Sequence, residues 1–321
     1  MDKIVITGGA GFIGSHVVER FVKFYSDVKI VVVDKLTYAA DYNYLSSVSS
    51  LKNYEFCQGD ISDLQFMLTV TEGADAVVNL AAESHVDNSF QNSLPFCETN
   101  TFGTHVILQC CLLNDVGYLL HVSTDEVYGE NNTDTPFTEI QNFNPTNPYS
   151  ASKAAAEMFV KSFESSYGLK ATIVRANNIF GPRQYPEKLI PRSILRLKNG
   201  LPALIHGDGK NKRCFLHVDD FCEALILLFR NKFLGVFNIA SSDEHTNLEV
   251  IRFACNHLGL NFDESVKFVK DRPHNDSRYL INSDKIQKIG WSQTKCFSEE
   301  INSVFDWYLN HNYTDDQIAR L

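Results

Sequence analysis

Apolar and polar positions along the chain fall into a repeating pattern. Short apolar runs of strand length stand at Lys3–Ile6, Lys29–Val33, Tyr54–Cys57, Ala76–Leu80, Tyr118–Ser123 and Ala171–Arg175. Between them lie stretches with helical spacing, one reaching about Tyr25, one from about Pro95 to Asn114 and one from Tyr149. Strands alternating with helices predict an α/β fold built on a Rossmann-like, doubly wound parallel sheet. At 321 residues the chain exceeds what one hydrophobic core usually supports. We therefore expect two parts: residues 1–182 with a return segment near 214–240, and a smaller C-terminal α/β part over 183–321. Phe297 to Asn310 reads as an amphipathic helix with Ile301, Val304, Phe305 and Tyr308 on its core face.

The turn after the first strand changes this from a fold class to a site. Thr7-Gly8-Gly9-Ala10-Gly11-Phe12-Ile13-Gly14 leads from strand to helix. Glycines there allow a tight turn and let backbone N–H groups approach a pyrophosphate at the helix N-terminus. Such a turn alone is shared by many α/β proteins. The second strand, however, ends on Asp34, about 20 residues on, where a carboxylate takes a ribose 2′-hydroxyl. Together they predict an NAD site holding Gly8, Gly11, Phe12, Ile13 and Gly14, with Asp34 against a 2′-phosphate and Lys35 weakening that preference. Asp60 and Ile61 suit an adenine edge, and the small residues from Ala81 to Ser84 permit close approach of a ligand. His85 lies at a strand's carboxyl end, where open parallel sheets bind ligands.

Ser123-Thr124-Asp125-Glu126-Val127-Tyr128-Gly129 follows the fifth strand, and Tyr149 and Lys153 come later, four residues apart. On a helix that spacing puts both side chains on one face. A lysine charge there is expected to lower the tyrosine pKa from about 10 and make Tyr149 a general base towards an alcohol. Asp125 and Glu126 could serve merely as helix-start residues. Their place between Thr124 and the Tyr-Lys pair favours chemistry.

Charge and cysteines narrow the partners. The net charge of −10 argues against nucleic acid. Between Arg183 and Arg213, though, eight basic residues face two acidic ones, a local +6. Arg192 and Arg196 there read as a solvated helix face, and Lys188 and Arg213 as an anion site to which Arg272 could add a cation. Cys57, Cys97, Cys110, Cys111, Cys214, Cys222, Cys255 and Cys296 show no Cys-x-x-Cys spacing. That predicts buried free thiols, neither bridges nor a metal site. No apolar run is long enough to span a bilayer, and the first strand at Lys3 leaves no room for a leader, so a cytoplasmic protein is expected.

The motifs now resemble a family. The glycine turn and Tyr149-x-x-x-Lys153 are similar to those of the extended short-chain dehydrogenases/reductases. Ala81–Asp87, Ser123–Gly129, Pro145–Lys153 and Tyr185–Pro191 resemble the nucleotide-sugar 4,6-dehydratases, nearest to those acting on dTDP-glucose. Asp271 to Tyr279 is a later marker of the same kind. The resemblance implies oxidation at sugar C4 with NAD, loss of water across C5–C6, and return of hydride to C6. Tyr149, Lys153 and Thr124 would act at the C4 hydroxyl, Glu126 as base at C5 and Asp125 as acid at C6. Leu80, Ala81, Ala82 and Asn100 would lie near NAD. Ser84, His85, Thr124, Asn178, Lys188, Leu189, Arg213, Asn247 and Arg272 would surround the nucleotide sugar, dTDP- or UDP-linked. A homodimer through the helices near 95–114 and 149–167 is implied as well. The chain departs from the family pattern in its short 130–144 connection and at Phe180 and His217. A C4 epimerase or decarboxylase of the same fold is the enzymatic alternative, disfavoured by Asp125 and Glu126. A non-catalytic NAD-sensing protein would be expected to lack part of the Tyr-Lys and carboxylate set.

Overall fold

The computed structural model describes residues 1–313, 318 and 321. Its strands are β1 (Lys3–Thr7), β2 (Lys29–Asp34), β3 (Tyr54–Gln58), β4 (Ala76–Asn79), β5 (Tyr118–Val122) and β6 (Ala171–Ala176), then β7 (Asn178–Phe180), β8 (Ala203–His206), β9 (Lys212–His217), β10 (Gly235–Ile239), β11 (Glu244–Thr246) and β12 (Val266–Val269). Seven of them form one sheet in the order β10-β6-β5-β4-β1-β2-β3. Every adjacent pair is parallel. The doubly wound sheet expected from the sequence is therefore present, and the chain reverses direction across it between β1 and β4. Carboxyl ends at such a reversal diverge and leave a crevice for a ligand.

Strand alternation explains the two covering layers. Ile4 and Ile6 of β1 pack with Val17, Val18 and Phe21 of helix Phe12–Phe24 and with Phe221 and Leu225 of helix Val218–Asn231. Val5, pointing the other way, joins Met67, Val106, Ile107 and Val160. A third cluster gathers Ile190 and Ile194 of helix Leu189–Lys198, Val250 and Ile251 of helix Asn247–His257, and the predicted face of helix Phe297–Asn310. Two small sheets flank that cluster, one of β11, β9 and β7 and one of β12 and β8.

Two expectations need correction. All eight cysteines are free, but Cys97 and Cys296 are exposed and Cys57 is half-buried, so thiol burial holds for the other five. Arg192 and Arg196 are not a solvated face: Arg192 Nε and Arg196 Nη1 donate to the backbone oxygen of Leu321 at 3.0 and 2.8 Å. Carbonyl oxygens that would lack partners attract such side chains away from water. Among the described residues, no helix is long and apolar enough to cross a membrane.

Candidate functional site

The carboxyl ends of β1, β2, β4 and β5 surround a cavity of about 330 Å³. Gly8, Gly11, Phe12, Ile13, Gly14, Asp34, Lys35, Asp60, Ile61, Leu80, Ala81 and Ala82 all line it. The glycine turn is needed for closeness. A Cβ on Gly14 would stand 1.9 Å from the Gly8 carbonyl oxygen. Gly8 has φ +70°, and its Cβ would meet the backbone of Ala81 at 2.7 Å. The Asp34 carboxylate is fixed by two backbone amides, Ala10 N–H at 2.9 Å and Leu36 N–H at 2.8 Å. Lys35 does not stand free beside it, because its Nζ lies 2.5 Å from Asp60 Oδ2. An acidic residue held in place with its basic neighbour occupied suits a ribose diol and opposes a 2′-phosphate. The turn, the fixed carboxylate and the apolar walls fit NAD.

Asn100 stands behind this wall. It lies in a π-helical segment, Cys97–Gly103, that continues into helix Thr104–Leu113. Its carboxamide accepts from Glu83 N–H at 2.8 Å and donates to Glu83 C=O and Ser152 Oγ, both at 2.9 Å. It shapes the loop after β4 and does not open on the cavity.

Thr124, Asp125, Glu126, Tyr149 and Lys153 line the same cavity. Thr124 caps a single 3₁₀ turn, Asp125–Tyr128, its hydroxyl accepting from Glu126 N–H at 3.2 Å. Tyr149 and Lys153 ride on helix Pro148–Tyr167, which begins with a capping box between Asn147 and Ser150 and has Pro148 in its first turn. Two asparagines not singled out from the sequence hold the carboxylates. Asn177 Nδ2 donates to Asp125 Oδ2 at 2.7 Å, and Asn147 Nδ2 to Glu126 Oε2 at 3.0 Å. The capping box made Asn147 findable as a helix start, whereas its second role depends on the fold.

Electrostatics separates the two carboxyls. Burial, and then the charge of Glu126, push Asp125 up to about 7. Burial also raises Glu126, but Asn147 and the cations Arg213 and Lys188 favour its charged form. Tyr149 departs from expectation: burial first, then the charges of Glu126 and Asp125, raise its phenol, and only the Thr124 hydroxyl opposes them. Burial likewise pushes Lys153 down to about 8. The Lys153 ammonium gives a hydrogen bond to Val122 C=O at 2.7 Å, at the end of β5 two residues before Thr124.

A second cavity of about 190 Å³ adjoins the first, with Glu126, Asn178 and Lys188 in both walls. Ser84, His85, Leu189, Arg213, Asn247 and Arg272 line it, so the substrate-side residues expected from the sequence gather there, apart from Thr124 in the first cavity. Arg272 forms a two-point pair with Asp87, at 2.7 and 3.0 Å, and Lys188 Nζ donates to Ser84 C=O at 2.8 Å. Arg213 lies over the Tyr279 ring, 4.5 Å from its centroid. His85 sits 3.6 Å from Glu187 and 3.7 Å from Asp87, yet burial and then Lys188 push it down to about 4, so it is neutral at pH 7. Three cations converging on one pocket suit a diphosphate. Among the described residues, no cluster of His, Cys, Asp and Glu is placed to hold a metal ion.

Comparison with known proteins agrees with this geometry. The family described as GDP-mannose 4,6 dehydratase matches residues 5–304. A trifunctional UDP-glucose 4,6-dehydratase/UDP-4-keto-6-deoxy-D-glucose 3,5-epimerase/UDP-4-keto-L-rhamnose-reductase of Arabidopsis thaliana is 43% identical over 314 residues, 96% of this chain and 47% of that protein. The chain thus spans about half the length of that relative. The dTDP-D-glucose 4,6-dehydratase of Mus musculus is 39% identical over 327 residues, covering 99% of this chain and 92% of the other. A crystal structure of a dTDP-glucose 4,6-dehydratase from Streptomyces venezuelae, solved with NAD bound, superposes with a TM-score of 0.94 at 37% identity over 98% of this chain and 99% of that one.

Proposed function

This chain belongs to the family described as GDP-mannose 4,6 dehydratase, and from that premise we propose that it is an NAD-dependent nucleotide-sugar 4,6-dehydratase acting on dTDP- or UDP-glucose. The observation that carries this reading is the pair of adjacent carboxyls with separated roles. Asp125, near 7, keeps a proton to give, while Glu126, held by Asn147 and two cations, is the better base. Two such groups beside one substrate are what an elimination requires, one removing the C5 proton and one protonating the departing C6 hydroxyl. A C4 epimerase needs neither.

NAD, when bound, supplies a hydride store that is emptied again within one turnover. Tyr149 in its ionised form, which the Thr124 hydroxyl favours, takes the proton of the sugar C4 hydroxyl as C4 becomes a ketone. The ketone makes the C5 proton acidic; Glu126 removes it, Asp125 protonates the C6 hydroxyl, and water leaves. With hydride returned to C6, the proton held by Glu126 returned to C5, and the proton gained by Tyr149 offsetting the one lost by Asp125 through solvent exchange, the sum is nucleotide glucose to nucleotide 4-keto-6-deoxyglucose plus water. In this reading residues 1–182, rejoined by β10, hold NAD, and 183–321 supply most of the nucleotide-sugar pocket. A homodimer is proposed on the same basis. Leu94, Phe102, Leu113 and Met158 are each more than half exposed on the helices expected to meet a second copy.

The test is mass spectrometry after parallel incubation with dTDP-glucose and UDP-glucose, without added NAD. Catalytic loss of one water is expected, from a particle of dimer mass by light scattering. A thymine methyl is worth only about 0.8 kcal/mol of burial, about fourfold, so turnover of both is expected and the faster names the nucleotide. No mass change, even with NAD supplied, would sink the assignment; a monomer would remove only the dimer.

A pH profile follows from the same carboxyls. Asp125 must be protonated, so kcat/KM, which reports the free enzyme, should fall as pH rises through about 7. Glu126 must be ionised, so kcat/KM should also fall on the acid side, above the ordinary glutamate value because its pKa is raised. In Asp125→Asn the alkaline limb near 7 should vanish from the residual activity. Persistence of that limb would assign it elsewhere, Lys153 first.

A further inference from the structure

The mechanism leaves a fully buried ion pair, Arg175 with Glu157, unused. Arg175, near the end of β6, is 0% exposed. Its Nε donates to Glu157 Oε1 and Oε2 at 3.0 and 3.1 Å, and Nη2 to Oε2 at 2.6 Å. Its Nη1 donates to Tyr128 Oη at 2.6 Å and to Glu139 C=O at 3.3 Å. The Tyr128 and Phe143 rings both lie against the guanidinium, each centroid 4.7 Å from its Cζ. Tyr128 passes the contact on, its hydroxyl donating to Asn238 Oδ1 at 2.7 Å.

The partners come from the two elements that bear the chemistry and from the loop between them. Glu157 is one helical turn beyond Lys153 and two beyond Tyr149, on the same face. Tyr128 closes the 3₁₀ turn of Asp125 and Glu126. Glu139 and Phe143 come from the short 130–144 connection, whose Asn144 N–H also donates to Val127 C=O at 3.0 Å. A rigid fork with fixed donor directions sets distances between its acceptors, which a flexible lysine would not.

We propose that Arg175, through Glu157 and Tyr128, is a positioning residue that holds the acid–base turn in register with the Tyr149–Lys153 helix, so that elimination follows oxidation on the same bound sugar. The inference rests on the dehydratase reading above. It differs from a stability role in what it predicts. Loosening the turn leaves the helix that oxidises C4 in place while Asp125 and Glu126 lose their aim at C6 and C5.

The test variant is Tyr128→Phe, which deletes only the hydroxyl that Arg175 and Asn238 share, with Phe143→Leu as a second, milder loosening from the loop side. With the glucose nucleotide turned over best by the wild type, kcat should fall about tenfold to a hundredfold, the range a misplacement of about 1 Å produces. KM should stay near the wild-type value, and the fraction of enzyme holding reduced cofactor during turnover should rise. A merely structural role predicts a lower Tm with kcat and that fraction unchanged, and this result in the folded variants would overturn the inference. If the wild type itself releases no water from the nucleotide sugar, the dehydratase reading fails and the inference fails with it.

Discussion

Glu126→Gln is expected to reduce product formation by on the order of 10²–10⁴-fold while C4 oxidation continues, leaving the enzyme with stoichiometric reduced cofactor and a 4-keto sugar. The substitution is close to isosteric, and Asn147 Nδ2, which donates to Glu126 Oε2 at 3.0 Å, can donate to the amide oxygen instead. Geometry is therefore retained and only the base is lost. Two side effects have a definite sign. The charge of Glu126 is the second cause, after burial, of the raised phenol of Tyr149, and it also raises Asp125. Removing it lowers both pKa values, so the oxidation step should extend to lower pH than in the wild type. Absorbance of reduced nicotinamide in single turnovers, with mass spectrometry of the quenched sugar, reads all of this. Normal dehydration by the variant would remove Glu126 as the C5 base.

The large sheet, the glycine turn with Asp34, and the gathering of Thr124, Asp125, Glu126, Tyr149 and Lys153 in one cavity were legible because each rests on local pattern: apolar runs, turn residues and i,i+4 spacing. Spacing gives proximity but says nothing of desolvation. It predicted that Lys153 would lower Tyr149, whereas burial of the phenol and two nearby carboxyls raise it. Lys153 is itself buried, and its ammonium is bonded to Val122 C=O. The Arg175–Glu157 pair was invisible for another reason. Its members are 18 residues apart, one in a strand pattern and one on a helix, and only tertiary packing brings both to full burial. The π-helical segment around Asn100 has no composition to announce it. Arg192 and Arg196 looked like solvated charges because their acceptor, the backbone of Leu321, is more than a hundred residues away.

Tyr149→Phe should cut turnover by a comparable factor, on the order of 10²–10⁴-fold, but with no reduced cofactor accumulating. The ring loses one oxygen and keeps its edge-on packing against Phe96, centroids 6.4 Å apart, so the helix start is not disturbed. What disappears is the group proposed to accept the C4 hydroxyl proton, and no ketone should then form to acidify C5. Glu126 and Asp125 are then intact but have nothing to eliminate. The two variants together order the steps. If oxidation precedes elimination, Tyr149→Phe combined with Glu126→Gln should behave as Tyr149→Phe alone, with oxidised cofactor throughout, because residues acting in sequence are not additive. Reduced cofactor in the double variant would mean that another group takes the C4 proton. Thr124, whose hydroxyl favours the ionised Tyr149 phenol and donates to Asp125 Oδ1 at 3.3 Å, would be the first to examine.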